Sequence, residues 1–529
     1  MTFSSILTLL LLLISSSNAS SSSSLDTNKP SIESICKSTI YPELCVSSLK
    51  LSITIPGILD PTIITYLLQT LQLGISESTK LINLYSNLKP SDIIEKQRGT
   101  IQDCKELQEI TVSYLQKSVS KLQSGNSRDK SDANAYLSAA LTNKNTCLEG
   151  LDSATGPFQK TAVSLLLTSS KYIANSLSML SKSRPVVSNH LNRRLLGFPN
   201  WMSRKSRRIL QDDEYDSSDA ITVAADGTGN FTTITDAIHF APNKSDDRFI
   251  IYVRAGVYEE NVEIPKHKNN IVLLGDGSDV TMVTGSRSVV DGWTTFRSAT
   301  FSVSGEGFLA RGITFENTAG AEKHQAVALR VSADLAAFYQ CTMIGYQDTL
   351  YTHTFRQFYR ECDIFGTVDF IFGNGAVVFQ GCNIIARLPM AGQFNAITAH
   401  ARDIPEMDTG FSIQNCSILA AVDLSENGKV KSYLGRPWKQ YARTVYIKSY
   451  IDGHIDLAGW REWSGNVGLD TLYYGEYENY GPGSVTDNRV AWAGYRVMDY
   501  NDASNFTVSQ FITGDEWLSS TSFPYDDEV

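Results

Sequence analysis

The chain has 529 residues, of which 42% are hydrophobic and 19% are charged, and its net charge is −10. This length is too great for one ordinary domain, so two or three domains are expected. The balance of apolar and charged residues is that of a soluble globular protein and excludes a largely disordered chain.

The N-terminus, MTFSSILTLLLLLISSSNAS, contains one short apolar run at residues 6–14. This run is much shorter than the roughly 20 residues that a membrane helix needs. It is followed by small polar residues, and Ser17, Asn18 and Ala19 form an acceptable cleavage site. We interpret residues 1–19 as a secretory signal peptide, although no Lys or Arg precedes the run. The alternative is a membrane anchor.

Residues 25–182 are predicted to form a small helical bundle. Gly and Pro are sparse in this part of the chain, and apolar side chains recur at helical spacing. The two clearest series are Ile64, Leu68, Leu71, Ile75, Ile82, Tyr85 and Val163, Leu166, Ile173, Leu177, Leu180.

The eight cysteines fall into two groups of four. No CxxC pair is present, which argues against zinc ribbons and thioredoxin-like redox sites. In a secreted protein an even number of cysteines favours disulfides, and we expect them within each group. The groups are Cys36, Cys45, Cys104, Cys147 and Cys341, Cys362, Cys382, Cys416. Four N-glycosylation sequons, at Asn230, Asn243, Asn415 and Asn505, are compatible with secretion.

Residues 183–211 are predicted to be a basic linker between two domains. Eight basic residues and no acidic residue lie between Lys182 and Arg208, whereas residues 211–529 carry 42 acidic and 23 basic residues, a net charge of −19. Two dibasic pairs occur, Arg193-Arg194 and Arg207-Arg208. Because proteolysis concentrates in exposed linkers, we interpret these pairs as processing sites. The alternatives are a solvated linker or a patch that binds polyanions.

Residues 212–529 change to short β-rich runs separated by Gly, Asn and Asp. The segments AFYQCTMIG, QFYRECDIFG, VFQGCNIIA and FSIQNCSILA each place an aromatic residue before a cysteine and an isoleucine after it. The first three of these cysteines recur at nearly equal intervals of about 20 residues, which is a spacing typical of solenoids. A β-rich repeat of this length predicts a right-handed parallel β-helix. The alternatives are a β-propeller and a β-sandwich.

The coil repeat places two acidic residues one above the other. Asp348 and Asp369 are separated by the same interval as the first two of those cysteines, and Gln325 precedes Asp348 by nearly the same interval. Residues one coil apart are stacked at the inter-strand spacing of roughly 4.8 Å. The sequence therefore predicts a ladder of Gln325, Asp348 and Asp369 on one face, with Tyr351 and Phe372 beside it in the cleft.

Such a pair of carboxylates can divide the work of acid and nucleophile. At about 5 Å they repel by roughly 3 kcal/mol at an effective dielectric constant near 20, or about two pKa units. One carboxyl group then stays protonated while the other is ionised. Arg436 is the candidate partner of the anion, Trp438 is a candidate stacking platform, and Gln347 and Gln325 are candidate donors to an oxyanion.

Each of these residues also has an ordinary structural interpretation. An aspartate can cap a turn of a β-helix, glutamines can form a stabilising ladder, and the arginine can make a surface ion pair. The functional interpretation is favoured because the residues occur together at coil spacing. Other catalytic patterns, GxSxG, HExxH and the P-loop, are missing from the sequence, and no basic–aromatic pattern indicates nucleic-acid binding.

At these residues the chain resembles the plant pectin methylesterases (pectinesterases) that carry an N-terminal inhibitor-like pro region. The motifs GVYEE, GAEKHQAVALR, GYQDTLY, GTVDFIFG and LGRPW occur in the order typical of the family. The resemblance implies an all-β right-handed parallel β-helix as the catalytic domain, preceded by an all-α four-helix bundle. It also implies disulfides Cys36–Cys45 and Cys104–Cys147 in that bundle.

The resemblance implies a role for each site residue. Asp369 corresponds to the nucleophile, Asp348 to the general acid/base and Gln347 to the oxyanion stabiliser, while Thr295, Gln325, Arg436 and Trp438 correspond to substrate-binding positions. The implied reaction is hydrolysis of galacturonate methyl esters, with no metal or organic cofactor. Departures such as Gly375, where alanine is usual, affect no catalytic position.

The resemblance also indicates partners and location. The implied substrate is methyl-esterified homogalacturonan in the cell wall, and the other implied partners are a protease at the dibasic sites and a proteinaceous pectin methylesterase inhibitor. We expect a secreted monomer without nucleic-acid or, after signal removal, membrane partners, whose pro region is autoinhibitory. Two other functions stay open: a β-helix enzyme that cuts the pectin chain, and a non-catalytic pectin-binding or inhibitor protein.

Overall fold

The computed structural model of the protein describes residues 31–52, 63–124, 127–182 and 220–529. The predicted signal peptide, the linker 183–211 and the dibasic residues Arg193, Arg194, Arg207 and Arg208 lie outside these ranges. Among the described helices, none is long and apolar enough to cross a bilayer. The side chains of all four sequon asparagines, Asn230, Asn243, Asn415 and Asn505, are exposed.

The first part of the described chain is helical. Two short helices precede four long ones, which pack as a bundle around a buried apolar core. The buried residues of the helix Ile63–Asn87 recur at helical spacing, as the sequence pattern predicts, whereas the helix Gln159–Lys182 is buried on all sides over residues 173–180. The helices are α1 (Ile32–Cys36), α2 (Pro42–Ser52), α3 (Ile63–Asn87), α4 (Thr100–Ser124), α5 (Ser127–Ser153) and α6 (Gln159–Lys182).

The second part of the described chain is a parallel β-helix of three sheets. Between β2 (Phe249–Val253) and β25 (Tyr473–Tyr477), consecutive strands in the chain belong to different sheets, and strands pair in parallel with the strand one coil away. The eleven-stranded sheet contains β1 (Ile221–Val223), β2 (Phe249–Val253), β5 (Ile271–Gly275), β8 (Leu309–Arg311), β11 (Ala336–Tyr339), β14 (Arg356–Arg360), β17 (Ala376–Gln380), β20 (Gly410–Gln414), β23 (Arg443–Ile447), β25 (Tyr473–Tyr477) and β26 (Tyr495–Val497).

The other two sheets complete each coil. The seven-stranded sheet contains β4 (Val262–Ile264), β7 (Phe301–Val303), β10 (Leu329–Val331), β13 (Leu350–Thr352), β16 (Val368–Gly373), β19 (Asn395–His400) and β22 (Ser432–Pro437). The eight-stranded sheet contains β3 (Gly256–Glu259), β6 (Thr281–Gly285), β9 (Thr314–Asn317), β12 (Thr342–Ile344), β15 (Asp363–Gly366), β18 (Asn383–Ala386), β21 (Ser417–Ala420) and β24 (Tyr450–Ile451).

Short helices complete this part of the chain. Helix α7 (Ile234–Phe240) packs near β1 and β4, α8 (Val422–Asn427) follows β21, and α9 (Tyr500–Ser504) and α10 (Val508–Ile512) follow β26. The buried residues of α10 pack against the outer face of the eleven-stranded sheet. This contact buries apolar side chains of the eleven-stranded sheet that point outwards from the β-helix.

The interior of the β-helix consists of stacked side chains in register. Phe338 pairs with Tyr359, and Tyr359 pairs with Phe379, so each ring lies one coil from the next. Their ring centroids are 4.9 Å apart in both pairs, the inter-strand spacing. The aromatic–cysteine repeat in the sequence is therefore the internal stack of the coils, and the predicted fold class is confirmed.

The disulfide prediction is correct for one group of cysteines and wrong for the other. Cys36–Cys45 and Cys104–Cys147 are bonded, but Cys341, Cys362, Cys382 and Cys416 are buried free thiols. These four lie in successive coils, each two residues after a strand residue in register with its counterpart in the next coil. The spacing of roughly 4.8 Å keeps neighbouring Cβ atoms further apart than the roughly 3.8 Å typical of a disulfide. The regular spacing of these cysteines therefore results from their packing in the interior of successive coils and not from disulfide bonding.

Candidate active site

A pocket of about 550 Å³ lies over the middle of the seven-stranded sheet and brings the predicted site residues together. Polar, acidic and aromatic side chains from the β-helix form its floor, and residues of α4 and α5 form part of its roof. The β-helix residues that line it are Thr294, Thr295, Phe296, Gln325, Gln347, Asp348, Tyr351, Asp369, Phe372, Ala399, Arg436, Trp438, Lys439 and Trp463.

The backbone at the two aspartates departs from regular β-structure. Asp348 has φ 64° and Asp369 has φ 52°, in the left-handed region that costs free energy for any residue with a Cβ. The pairing of β16 with β19 is irregular between Val368 and Ile371, where β16 has one extra residue. A bulge of this kind redirects side chains. The carboxyl group of Asp369 is thus turned out of the coil interior and into the pocket.

Arg436 holds Asp369 by two hydrogen bonds. Its Nε donates to Oδ1 at 2.7 Å and its second guanidinium nitrogen donates to Oδ2 at 2.6 Å. The carboxylate is only 4% exposed, so this bidentate, charge-assisted contact is largely shielded from water. The guanidinium also lies 4.1 Å from the ring centre of Trp463, which fixes its orientation.

The two carboxyl groups have different electrostatic surroundings. Burial raises the pKa of Asp348 well above its usual range, and the negative charge of Asp369 raises it further. Burial also raises the pKa of Asp369, but the two hydrogen bonds from Arg436 oppose that change. These surroundings favour the proton on Asp348 over the proton on Asp369, so the two carboxyl groups differ in their tendency to ionise.

Gln325 is displaced by one residue from its predicted place in the ladder. The Ala326 N–H donates to the Gln347 carbonyl at 3.2 Å, so Gln325 lies beside Gln347 rather than beside Asp348. The prediction that Gln325 aligns with Asp348 is therefore wrong by one residue. In this coil the residue in register with Gln325 is Gln347, and the residue in register with Asp348 is Ala326. Both glutamines still line the pocket, as does Thr295. The buried Oε1 of Gln347 has no hydrogen-bond partner among the described residues.

Aromatic rings form one wall of the pocket. Tyr351 and Phe372 stack at 4.2 Å, Phe372 lies 6.0 Å from Trp438, and Trp438 lies 6.3 Å from Trp463. A continuous apolar surface next to polar groups is suited to a carbohydrate chain, whose sugar faces are apolar and whose edges are polar. Trp463 is a residue that sequence reasoning missed.

The helical bundle contributes its own side chains to the pocket. The Thr146 hydroxyl is 2.9 Å from His353 Nε2 and 3.4 Å from the Tyr351 hydroxyl. Glu149 on α5 lies 3.6 Å from Lys439, and Asp103 on α4 accepts a hydrogen bond from the Thr294 hydroxyl at 2.6 Å. These contacts place α4 and α5 over the cleft that holds the two aspartates.

Comparisons with known proteins agree with this architecture. The family described as Pectinesterase matches residues 220–515, and the family described as Plant invertase/pectin methylesterase inhibitor matches residues 30–179. A probable pectinesterase/pectinesterase inhibitor 12 from Arabidopsis thaliana is 59% identical, covering 99% of this chain and 98% of that protein. A probable pectinesterase/pectinesterase inhibitor 41 from the same plant is 45% identical, covering 94% of each.

A solved structure gives the same result for the β-helix. The pectin methylesterase from carrot is 51% identical, with a TM-score of 0.59, and the match covers 60% of this chain and all of that one. The length of the carrot chain corresponds to the β-helix without the helical bundle.

Proposed function

Since the chain belongs to the pectinesterase family and carries an inhibitor-like helical domain, we propose that it hydrolyses the methyl esters of galacturonate residues in cell-wall pectin with Asp369 as the nucleophile. Asp348 is the general acid and base. The observation that carries this assignment is the asymmetry of the pair, because Arg436 binds one carboxylate while the other is buried and forms no ion pair with any cation in the described part of the chain.

The reaction begins when an Asp369 oxygen attacks the ester carbonyl carbon of the substrate. The carbonyl oxygen becomes an oxyanion, and the side-chain amide of Gln347, which lines the pocket, donates to it. When the tetrahedral intermediate collapses, the bond to the methoxy oxygen breaks and Asp348 gives its proton to that oxygen, so methanol leaves. The product of this half-reaction is an acyl-enzyme, in which the substrate carbonyl is bonded to Asp369.

Water completes the cycle. Asp348, now ionised, takes a proton from a water molecule that attacks the acyl carbonyl, and Asp369 leaves as a carboxylate bound again by Arg436. The substrate residue ends with a free carboxylate. Thr295, Gln325 and Trp438 bind the chain around the reacting residue, and Tyr351 and Phe372 form the adjoining aromatic wall. All of these side chains line one pocket.

A methanol assay on pectin, run together with viscosity and absorbance of unsaturated products, tests this function. Methanol release without chain cleavage is the expected result. Loss of viscosity or formation of unsaturated ends would indicate an enzyme that cuts the polymer. Absence of methanol from the isolated β-helix would indicate a non-catalytic pectin-binding protein.

Asp348→Asn is expected to lower kcat roughly 10²- to 10⁴-fold, because methoxide would then leave without a proton. The deficit should shrink on a trifluoroethyl ester of the same substrate, since its alcohol is more acidic and needs less protonation. The measurement is kcat for both esters with wild type and variant. An equal deficit on both esters, or more than a tenth of the activity kept on the methyl ester, would remove Asp348 from the acid role.

Arg436→Gln is expected to move the acid limb of the kcat/KM profile to higher pH by about 1–3 units. Asp369 must be ionised to attack, and without the guanidinium the effect of burial on its pKa is no longer opposed. Arg436→Lys keeps a positive charge but loses the bidentate geometry, so we expect a smaller shift. An unchanged acid limb in Arg436→Gln would mean that Arg436 does not control the ionisation of Asp369.

We also propose that the helical domain inhibits the β-helix in the uncleaved chain. Besides the contacts in the pocket, Arg356 donates to Asp132 of α5 at 2.9 Å, and Asn374 donates to the Thr142 hydroxyl at 2.7 Å. The Phe355 ring packs 4.6 Å from Tyr114 of α4. A pectin chain and the helical domain thus compete for one surface.

Activation then requires the domain to leave. We propose that a protease cuts the linker 183–211 at Arg193-Arg194 or Arg207-Arg208 and that the chain acts as a secreted monomer in the cell wall. A separate proteinaceous inhibitor of the same fold as α3–α6 would bind the exposed face of the released enzyme.

A further inference from the structure

Arg297 follows Phe296, which lines the active-site pocket, and it binds two carboxyl groups, one of which, Asp103, also lines the pocket. Its Nε lies 2.5 Å from Asp103 Oδ1, without the alignment of a hydrogen bond, and a terminal nitrogen donates to Glu106 Oε2 at 2.8 Å. The hydroxyl of Thr294, three residues earlier, donates to the other oxygen of Asp103 at 2.6 Å. A guanidinium and a hydroxyl therefore converge on one carboxyl group.

Both partners of this arginine come from the helical domain. Among the described residues, the carboxylates that pair with Arg297 are on α4. Arg436 pairs with Asp369 and Arg356 pairs with Asp334 at 2.7 Å, both within the β-helix itself. When the helical domain leaves, these two arginines keep a counter-ion, whereas Arg297 loses both carboxylates that it pairs with and keeps only the weaker electrostatic attraction of Glu263 on β4.

The surroundings of Arg297 contain a second arginine and one acidic residue of the β-helix, Glu263. The Cδ of Arg297 packs against Gly99, where a Cβ would come within 2.7 Å, so α4 approaches closely only because this residue is glycine. Nearby, the buried guanidinium of Arg330 lies 3.5 Å from the ring centre of Phe296, a residue that lines the pocket. Burial raises the pKa of Asp103 to about 7, and Arg297, Thr294 and Arg330 all act against that rise.

The position of Arg297 suits a neighbour of the reacting sugar. The segment 294–297 leads into β7, which is two strands from β13 in the seven-stranded sheet, and Asp348 lies two residues before the start of β13. Two inter-strand spacings are roughly 10 Å. Thr294 and Asp103 line the same pocket as the aspartate pair, so one polymer can reach both places.

We propose that Arg297 and Thr294 form a subsite for the free carboxylate of a galacturonate residue and that Asp103 occupies this subsite in the uncleaved chain. This inference rests on the proposed function, since it takes pectin as the ligand. A methyl ester has no charge to pair with the guanidinium, whereas a carboxylate accepts from its planar donors. The subsite therefore selects pectin that already carries a free carboxylate a short distance from the ester to be cleaved.

This selection acts against the overall charge of the domain. Residues 211–529 have a net charge of −19, so a polyanionic chain is repelled except where a local cation binds it. Each turnover converts an ester into a carboxylate, and that carboxylate becomes a ligand for the subsite when the polymer shifts along the cleft. The proposal predicts that the enzyme works best beside residues that have already been de-esterified.

The test compares KM on fully methylated polygalacturonate and on partly de-esterified pectin, using the full chain after cleavage in the linker 183–211 and separation of the helical domain. The wild type is expected to have the lower KM on the partly de-esterified substrate. Arg297→Gln should raise that KM about tenfold and leave kcat and KM on the fully methylated substrate unchanged. Arg297→Lys should restore part of the difference.

A control and a binding measurement complete the experiment. Arg254→Gln removes one exposed cation outside the pocket and should change neither KM. Equilibrium binding of fully de-esterified oligogalacturonate should weaken about tenfold in Arg297→Gln only. Equal changes of KM on both substrates, or no change in either KM or binding, would overturn the subsite. Lack of methanol release by the wild type would instead contradict the proposed function, and the binding measurement would still decide on the subsite.

Discussion

Replacing Asp369 with Asn is expected to lower kcat for methanol release by at least about a thousandfold, as loss of a covalent nucleophile does in other hydrolases. An amide is a far weaker nucleophile than a carboxylate, and the substitution also removes the negative charge that Arg436 binds. The fold should persist, because the side chain points into the pocket and not into the coil interior.

The matched control is Asp363→Asn. Asp363 begins β15 on another sheet, bonds to Asn383 at 2.8 Å and lies outside the pocket, so its replacement should leave kcat within about twofold. Thermal unfolding of both variants separates a catalytic effect from a folding effect. If Asp369→Asn kept more than about a tenth of wild-type kcat, a loss below roughly 1.4 kcal/mol, it could not be the nucleophile.

Blocking cleavage of the linker should have the second-largest effect. Replacing Arg193, Arg194, Arg207 and Arg208 with Ala should give a secreted, uncleaved protein with kcat/KM at least about a hundredfold below that of the processed enzyme. That factor corresponds to an open state populated near 1%, because the helical domain and the substrate use the same cleft.

Mass and activity of the secreted protein measure this prediction together. Arg184→Ala removes a basic residue of the linker outside the dibasic pairs, and we expect normal cleavage and normal activity from it. Secreted, intact protein with full activity would show that the docked helical domain does not block the substrate.

The repeat in the sequence was sufficient to predict the coil and the pairing of the two aspartates. The nearly equal spacing of Cys341, Cys362 and Cys382 matches the register of β11, β14 and β17, since one coil has one length wherever no loop is inserted. The same rule locates Asp348 one coil from Asp369. It fails at Gln325, where one extra residue shifts the register.

Features that depend on backbone irregularity or on distant contacts could not be read from the repeat. The bulge at Asp369 and its left-handed φ have no signature in a period of two residues. Trp463 lies in a loop without periodicity and reaches Arg436 only in the folded chain. The even number of cysteines led to a wrong prediction of disulfides in the β-helix. The spacing of cysteines in the sequence does not show whether their side chains can reach each other.

The position of the helical domain on the β-helix also could not be predicted from local sequence patterns. From the sequence alone, an aspartate in the first turn of α4 would be interpreted as a favourable charge at the helix N-terminus. Only the structure shows that Asp103 contacts Arg297 of the β-helix. The contact of Asp103 depends on how the two domains pack together, which the sequence of either domain alone does not show.

The central claim is that the helical domain fills the cleft of an aspartyl esterase, and one preparation can test it. A single site for an added protease is placed within residues 183–219 of the full chain with its dibasic pairs removed, and methanol release from one pectin sample is followed before and after the cut and separation. We expect activity to rise at least about a hundredfold on release of the domain, and to stay absent throughout in the Asp369→Asn counterpart. Equal methanol release by the uncut and the cut chain would contradict the account.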